Sequence, residues 1–249
     1  MINKDFFLLW TTSDWYKNVL KEAKSIIDDA LKRHKCYVAF SGGKDSTCVL
    51  HLVLQYDPNI LVLHWDYGRY YIPAEVERQI ICNAKAMGAK NVRVETSSEY
   101  EKLGRNAINV LGREYLGKLV GDLHKQGYTG VFVGLRKEES IKRKLRIKNQ
   151  INITCMKEFY PVSSWKWQDV WAYIFSNNVP YLEHYDKYAR VVGWDKARFT
   201  TFFDPEFDKF GCSNIDGVLN WKFKNINVKG RNQSKKSDVP ASSEETPHD

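Results

Sequence analysis

Six consecutive residues, Ser41-Gly42-Gly43-Lys44-Asp45-Ser46, combine what an anion needs from a polypeptide. The apolar run Cys36-Tyr37-Val38-Ala39-Phe40 precedes them and Thr47-Cys48-Val49-Leu50 follows, which predicts a strand, a tight turn and a helix with a buried face. A helix N-terminus leaves backbone N–H groups unpaired, and they attract negative charge. Two glycines let that backbone come close to a phosphate where a side chain would block it. Ser41 and Ser46 add hydroxyls and Lys44 a positive charge. The spacing is neither G-x-x-x-x-G-K-[ST] nor G-x-G-x-x-G, so this is a different phosphate cradle from those loops. The plainer alternative is a strand-to-helix turn with a serine cap.

A second set of candidate anion binders is Gly134-Leu135-Arg136-Lys137-Glu138-Glu139-Ser140-Ile141-Lys142-Arg143. Arg136 directly follows an apolar strand-like run, and Arg143 is seven residues further on, two turns away if the segment is helical. Arginine forks suit phosphate or sulfate. Glu138 and Glu139 can orient those arginines or cap a helix. Lys142, Lys144, Arg146 and Lys148 read better as a solvated charged face, with pairs such as Glu138 to Lys142. Nucleic-acid binding by the whole run is the less favoured reading, because the acidic residues dilute it.

These groups need a scaffold. Ser13 to Lys35 reads as an amphipathic helix and Ile60 to Trp65 as a second strand, followed by Asp66-Tyr67-Gly68. Pro73 to Met87 reads as a helix closed by Gly88, Asn91 to Glu95 as a strand, Glu99 to Gln126 as helical, and Val131 to Val133 as a strand. Alternating strands and helices imply right-handed crossovers, hence an α/β fold with a doubly wound, mostly parallel sheet and a helical C-terminal extension. Ligands of such sheets bind beyond the carboxyl ends of the strands, where the cradle, Asp66 and Gly134 to Arg136 all fall. The expected organisation is an N-terminal helical segment over 1–35, the main domain over 36–228 and a disordered tail over 229–249, which lacks aromatics.

The chain has 249 residues, 43% hydrophobic and 27% charged, with a net charge of +8. No apolar run is long enough to span a bilayer, and no signal-peptide pattern opens the sequence, so a cytoplasmic protein without a membrane partner is expected. The basic excess allows nucleic acid as a partner without requiring it. The five cysteines (Cys36, Cys48, Cys82, Cys155 and Cys212) are scattered, without Cys-x-x-Cys or zinc spacing. The expectation from that spacing is no disulfide framework and no iron–sulfur cluster.

Ser-Gly-Gly-Lys-Asp-Ser resembles the signature of the PP-loop, or N-type ATP pyrophosphatase, superfamily, whose fold is called adenine nucleotide alpha hydrolase-like. Gly134 to Ser140 with Arg143, and Tyr160-Pro161-Val162 with Trp167 to Ile174 and Val179-Pro180-Tyr181, resemble later blocks of its phosphoadenylyl sulfate (PAPS) reductase branch. Asp66-Tyr67-Gly68 with Pro73 and Glu75 is similar to another of that branch's elements, and the likeness runs from about Tyr37 to Phe203. The resemblance implies an adenine nucleotide, ATP or phosphoadenylyl sulfate, as substrate. The cradle Ser41, Gly42, Gly43, Lys44, Asp45 and Ser46 then takes the phosphates, and the backbone around His64, Trp65 and Asp66 takes adenine. Gly134, Arg136 and Arg143 meet the far anion, and Arg198 closes over it. Mg²⁺ would accompany ATP, with Asp45 as the carboxylate at hand.

Two chemistries fit the resemblance. ATP pyrophosphatase or adenylation activity linked to sulfur transfer is favoured, because the cysteine-bearing tail of thiol-dependent reductases is missing. The alternative is sulfonucleotide reduction, with Cys212 as the late thiol and Lys44, Arg136 and Arg143 assisting. A sulfur-donor or thiol partner protein would complete either one. A non-catalytic nucleotide sensor or nucleic-acid-modification partner is the reading from another class.

Overall fold

The computed structural model describes residues 4–69, 71–104, 107 and 110–199. Five strands form one parallel sheet in the order β3-β2-β1-β4-β5. They are β1 (Cys36–Ala39), β2 (Leu61–Asp66), β3 (Asn91–Thr96), β4 (Gly130–Val133) and β5 (Lys157–Phe159). Every residue of β1 but Ala39 is buried, as befits a central strand covered on both faces. Tyr37 pairs with Leu61 on one side and Val131 on the other. The chain runs from β1 outward to β2 and β3, then crosses back to β4 and β5. The crevice between the ends of β1 and β4 is therefore the topological switch point, where open parallel sheets receive ligands.

Helices α1 (Lys4–Trp10) and α2 (Asp14–Arg33) precede the sheet; α3 (Lys44–Leu54) and α4 (Ala74–Ala86) link its first three strands. The expected start of α2 holds, with the Ser13 side chain accepting the Tyr16 N–H at 3.2 Å. α4 ends before Gly88, whose φ of +96° suits glycine. The long helix expected from Glu99 is interrupted. α5 (Ser98–Leu103) stops at Gly104, at φ +51°; a π-helical stretch, Leu111–Leu119, then runs into α6 (Val120–Lys125). β5 has no apolar run to announce it and owes its place to pairing with β4. α7 (Ile141–Lys148) lies between β4 and β5, and α8 (Trp167–Ser176) and α9 (His184–Val192) follow, the helical extension that was expected. Among the described residues, no helix is long and apolar enough to cross a membrane.

One carboxylate ties the N-terminal helices to the body. Asp169, fully buried in the first turn of α8, accepts the indole N–H of Trp10 at 2.7 Å and of Trp15 at 3.0 Å, and the Lys166 N–H at 2.7 Å. Three donors satisfy both oxygens of this carboxyl group at the start of the helix. The Trp165 indole adds a bond to the Val19 carbonyl at 3.2 Å. Replacing Asp169 with alanine strands those donors and should lower the unfolding free energy by about 3 kcal/mol. Urea unfolding followed by tryptophan fluorescence measures it; a loss below about 1 kcal/mol would show that the clasp is not stabilising.

Candidate functional site

The cradle forms as its residue types require. The chain leaves β1 at Ala39, turns through Phe40 to Gly43 and enters α3 at Lys44. Gly42 has φ +75°, and a Cβ there would lie 2.5 Å from the Ile80 side chain. The Ser41 and Ser46 hydroxyls are 3.1 Å apart, and Ser46 donates to the Gly43 carbonyl at 2.9 Å, which closes the turn. Gly134 serves a different purpose: a Cβ on it would sit 2.5 Å from the Ser46 backbone nitrogen. Only glycine lets the end of β4 lie against the first turn of α3. The Lys44 N–H donates to the Tyr185 hydroxyl at 2.8 Å, so α9 also reaches the cradle.

Beneath the turn lies an ion cluster. Asp45 is 8% exposed, and Lys44 and Arg136 are each 4% exposed. Asp45 accepts Arg136 Nε on Oδ1 at 2.5 Å and Lys44 Nζ on Oδ2 at 3.2 Å. Arg136 Nη1 reaches Glu138 Oε2 at 2.5 Å and the Trp165 carbonyl at 3.4 Å. Glu138 also accepts the Trp167 N–H at 2.8 Å, while Glu139 takes the Arg136 N–H at 3.1 Å and pairs with Arg143. Burial opposes ionisation of Asp45, but the guanidinium and ammonium beside it prevail and hold its carboxyl below the ordinary value.

Above the cluster opens a cavity of about 760 Å³. Its floor is Ser41, Gly43, Lys44, Asp45, Ser46 and Gly134; Trp65, Tyr67 and Tyr115 form an aromatic wall. Ser140, Ile141, Lys142 and Arg143 give one rim, and Tyr185, Arg198 and Phe199 another. The structure thus brings together most of the cradle with Trp65, Gly134, Arg143 and Arg198. Gly42, His64, Asp66 and Arg136 do not line the cavity.

Several expectations need correction. Arg136 is enclosed by Asp45, Glu138 and the Trp165 carbonyl, so it braces the site rather than meeting a ligand. Arg136 and Arg143 do not share a helical face, because α7 begins only after the Ser140 cap. Both Asp45 oxygens are engaged by cations, so this carboxylate is not presented to Mg²⁺. The Asp66 side chain accepts the Gly68 N–H at 2.6 Å and shapes its own turn. Cys212 and residues 229–249 lie outside the described residues. Tyr185, Tyr115 and Phe199 escaped the sequence reading, because no local pattern separates an aromatic lining a cavity from one in the core; Tyr67 entered it only as part of Asp66-Tyr67-Gly68.

His64 faces away from the cavity. Its Nδ1 lies 2.8 Å from the Phe40 carbonyl and its Nε2 2.7 Å from Glu77 Oε2. Two acceptors on one imidazole call for a proton on each ring nitrogen. Burial works against that charge, but the Glu77 carboxylate outweighs it and raises the His64 pKa above 6.5. The pair joins α4 to the carbonyl just before the cradle.

Two predictions follow from this geometry. Arg136→Leu leaves Asp45 and Glu138 without their main partner and should lower stability by roughly 3 kcal/mol, whereas Arg143→Ala on the rim should change it by less than about 0.5 kcal/mol. Equal effects in urea unfolding would contradict the division into brace and rim. The folded pKa of His64 is raised, so its stabilisation is whole below pH 6.5 and is lost as pH rises through the folded value. Glu77→Gln should flatten that loss above pH 6.5, read as the melting temperature across pH; an unchanged slope would exclude the pair as its cause.

Comparisons with known proteins bear on the family. A family model described as the phosphoadenosine phosphosulfate reductase domain matches residues 35–215. The uncharacterized protein MJ0066 of Methanocaldococcus jannaschii is 29% identical over 168 residues, covering 63% of this chain and 34% of that protein. Adenosine 5′-phosphosulfate reductase 2 of Bacillus subtilis is 32% identical over 89 residues, 35% of this chain and 37% of its own length. The chain therefore spans little more than a third of these curated relatives. Among solved structures, the U34-tRNA thiolase NcsA from Methanococcus maripaludis with its [4Fe-4S] cluster is similar over 68% of this chain and 66% of its own, with a TM-score of 0.49 and 16% identity. The cluster is that protein's own. The expectation of no iron–sulfur cluster drawn from cysteine spacing does not stand, because thiolate ligands are gathered in space and scattered positions along a sequence do not rule a cluster out. With the model matching from before β1 to beyond α9, the chain belongs to the phosphoadenosine phosphosulfate reductase domain family.

Proposed function

We propose that the chain binds an adenine nucleotide in the switch-point cavity and acts at its α-phosphate. The favoured reaction takes ATP: an acceptor oxygen bonds to the α-phosphorus, the bond to the bridging oxygen breaks, pyrophosphate leaves, and the adenylated acceptor is primed for sulfur transfer. One observation carries this reading. The cradle, an aromatic wall and the cations Arg143 and Arg198 all face one cavity, whose 760 Å³ lies within the usual range of about 300–1,000 Å³ for small-molecule sites.

No side chain has to attack phosphorus in this scheme. The first turn of α3 and the Ser41 hydroxyl hold phosphate oxygens, and Lys44, its ammonium paired with Asp45, closes the floor beneath them. Arg143 and Arg198 neutralise charge that develops on the leaving group. The donor set does not itself make a metal site: among the described residues no group of three or more His, Cys, Asp or Glu could hold an ion, and Asp45 is committed to cations.

Thiol-dependent reduction of phosphoadenylyl sulfate is the second reading, favoured by the description of the matching family model. Among the described residues no cysteine lines the cavity. Burial pushes the Cys36 thiol up to about 12 and the Cys48 thiol well above its ordinary value, which makes both poor nucleophiles. Cys212, the thiol this reading would use, lies outside the described residues, and ATP cleavage is preferred for the phosphate cradle and cationic rim that face the cavity.

Incubation with ATP and with phosphoadenylyl sulfate, in separate reactions, distinguishes the two. Pyrophosphate should appear from ATP, with water standing in for the acceptor, and fall about 100-fold in Arg143→Ala at unchanged melting temperature. Sulfite from phosphoadenylyl sulfate without pyrophosphate from ATP would establish the reductase. Neither product, together with flat nucleotide titrations, would end the proposal.

A further inference from the structure

The segment from Ile141 to Lys157 holds six lysines and arginines and no acidic residue. In sequence, Glu138 and Glu139 dilute this charge from one end. In the fold they are turned inward: Glu138 is taken up by Arg136 and the Trp167 N–H, and Glu139 by the Arg136 N–H and Arg143. At the other end Glu158 pairs with Arg146. What remains is a face of a single sign. Among the described residues, Lys142, Lys144 and Lys148 have no acidic partner within ion-pair distance.

The same helix buries none of its residues. Ile141 is 79% exposed and Leu145, one turn on, 50% exposed, next to Lys144 and Lys148. A solvated helix does not need apolar side chains on its outer face. Their presence among unpaired cations suits a ligand that is polyanionic along its length and apolar between its charges. The N-terminal end of α7 supplies Ile141, Lys142 and Arg143 to the cavity rim, so a polymer lying on the helix passes the cavity mouth.

We infer that α7 is the docking surface for a single-stranded stretch of nucleic acid. The lysines hold its phosphates, and Ile141 and Leu145 meet the face of an unpaired base or its sugar. Duplexes stack their bases away from such contacts, which is why the single strand is the better fit. That the bound strand is also the acceptor rests on the adenylation reading above; that it binds does not. An acidic protein patch is less suited, because protein surfaces mix the two signs and this face offers no anion for a partner's cation.

The test is fluorescence anisotropy with a labelled oligonucleotide, as RNA and as DNA of the same sequence, across a salt series. Each phosphate contact on a single strand contributes about −0.7 to the slope of log K against log salt. Lys144→Gln with Lys148→Gln should therefore flatten the slope by about 1.4 and weaken binding about 25-fold at 0.1 M salt. Leu145→Ser should weaken binding with the slope intact. Lys21→Gln with Lys24→Gln, on α2, should change neither. Binding of either sugar type supports the surface. Equal binding of a duplex, of polyglutamate or of phosphatidylserine vesicles overturns it, as does an unchanged slope in the double lysine variant. ATP titration of the same proteins separates the two proposals: nucleotide binding lost with oligonucleotide binding kept removes the adenylation reading alone, and the reverse removes only this one.

Discussion

A carboxylate held between two cations organises this protein. Asp45 sits in the first turn of α3, almost without solvent, and is shared by Lys44 beside it and Arg136 from the end of β4. A buried charge without partners is costly, so each member fixes the position of the others. Arg136 extends the connection to Glu138 and the Trp165 carbonyl, and Glu138 reaches the Trp167 N–H at the start of α8. The two strands on either side of the switch point are locked together where they release the chain to the site. Gly134 makes this possible, since any side chain there would collide with the backbone of α3.

That lock explains the division of labour around the cavity. The cradle's charge is already balanced from below, so its upper surface is set by backbone N–H groups and hydroxyls. Further out, Arg143 is paired with Glu139, and the lysines of α7 carry the exposed positive charge. The Tyr185 hydroxyl, which accepts the Lys44 N–H, is buried and held neutral well above its ordinary pKa, so it offers a hydrogen-bonding oxygen with no negative charge. A braced floor beneath a charged rim is the arrangement the proposed nucleotide site would need.

The acidic residues of the second motif show how sequence proximity misleads. Glu138 and Glu139 stand directly before a basic run and appear to moderate it, yet both point back into the ion cluster and leave the run's outer face uniformly basic. Arg136 errs in the other direction. An arginine just past a buried strand reads as a ligand-binding group, but the same position places it within reach of Asp45, 91 residues earlier.

Alone, the sequence determined the alternation of strands and helices, the cradle and the strand ends on which a ligand site would lie, because apolar periodicity, glycine turns and caps are properties of neighbouring residues. It put a helix start at Ser13 and a stop at Gly88, and the structure has both. Only the tertiary structure decided that β5 is a strand, that His64 turns to Glu77, that Arg136 braces and Arg143 faces the cavity, and that Tyr185 closes the cradle from 141 residues away. Those outcomes depend on which charges and hydrogen-bonding groups meet once water is excluded, and such meetings leave no trace in local spacing.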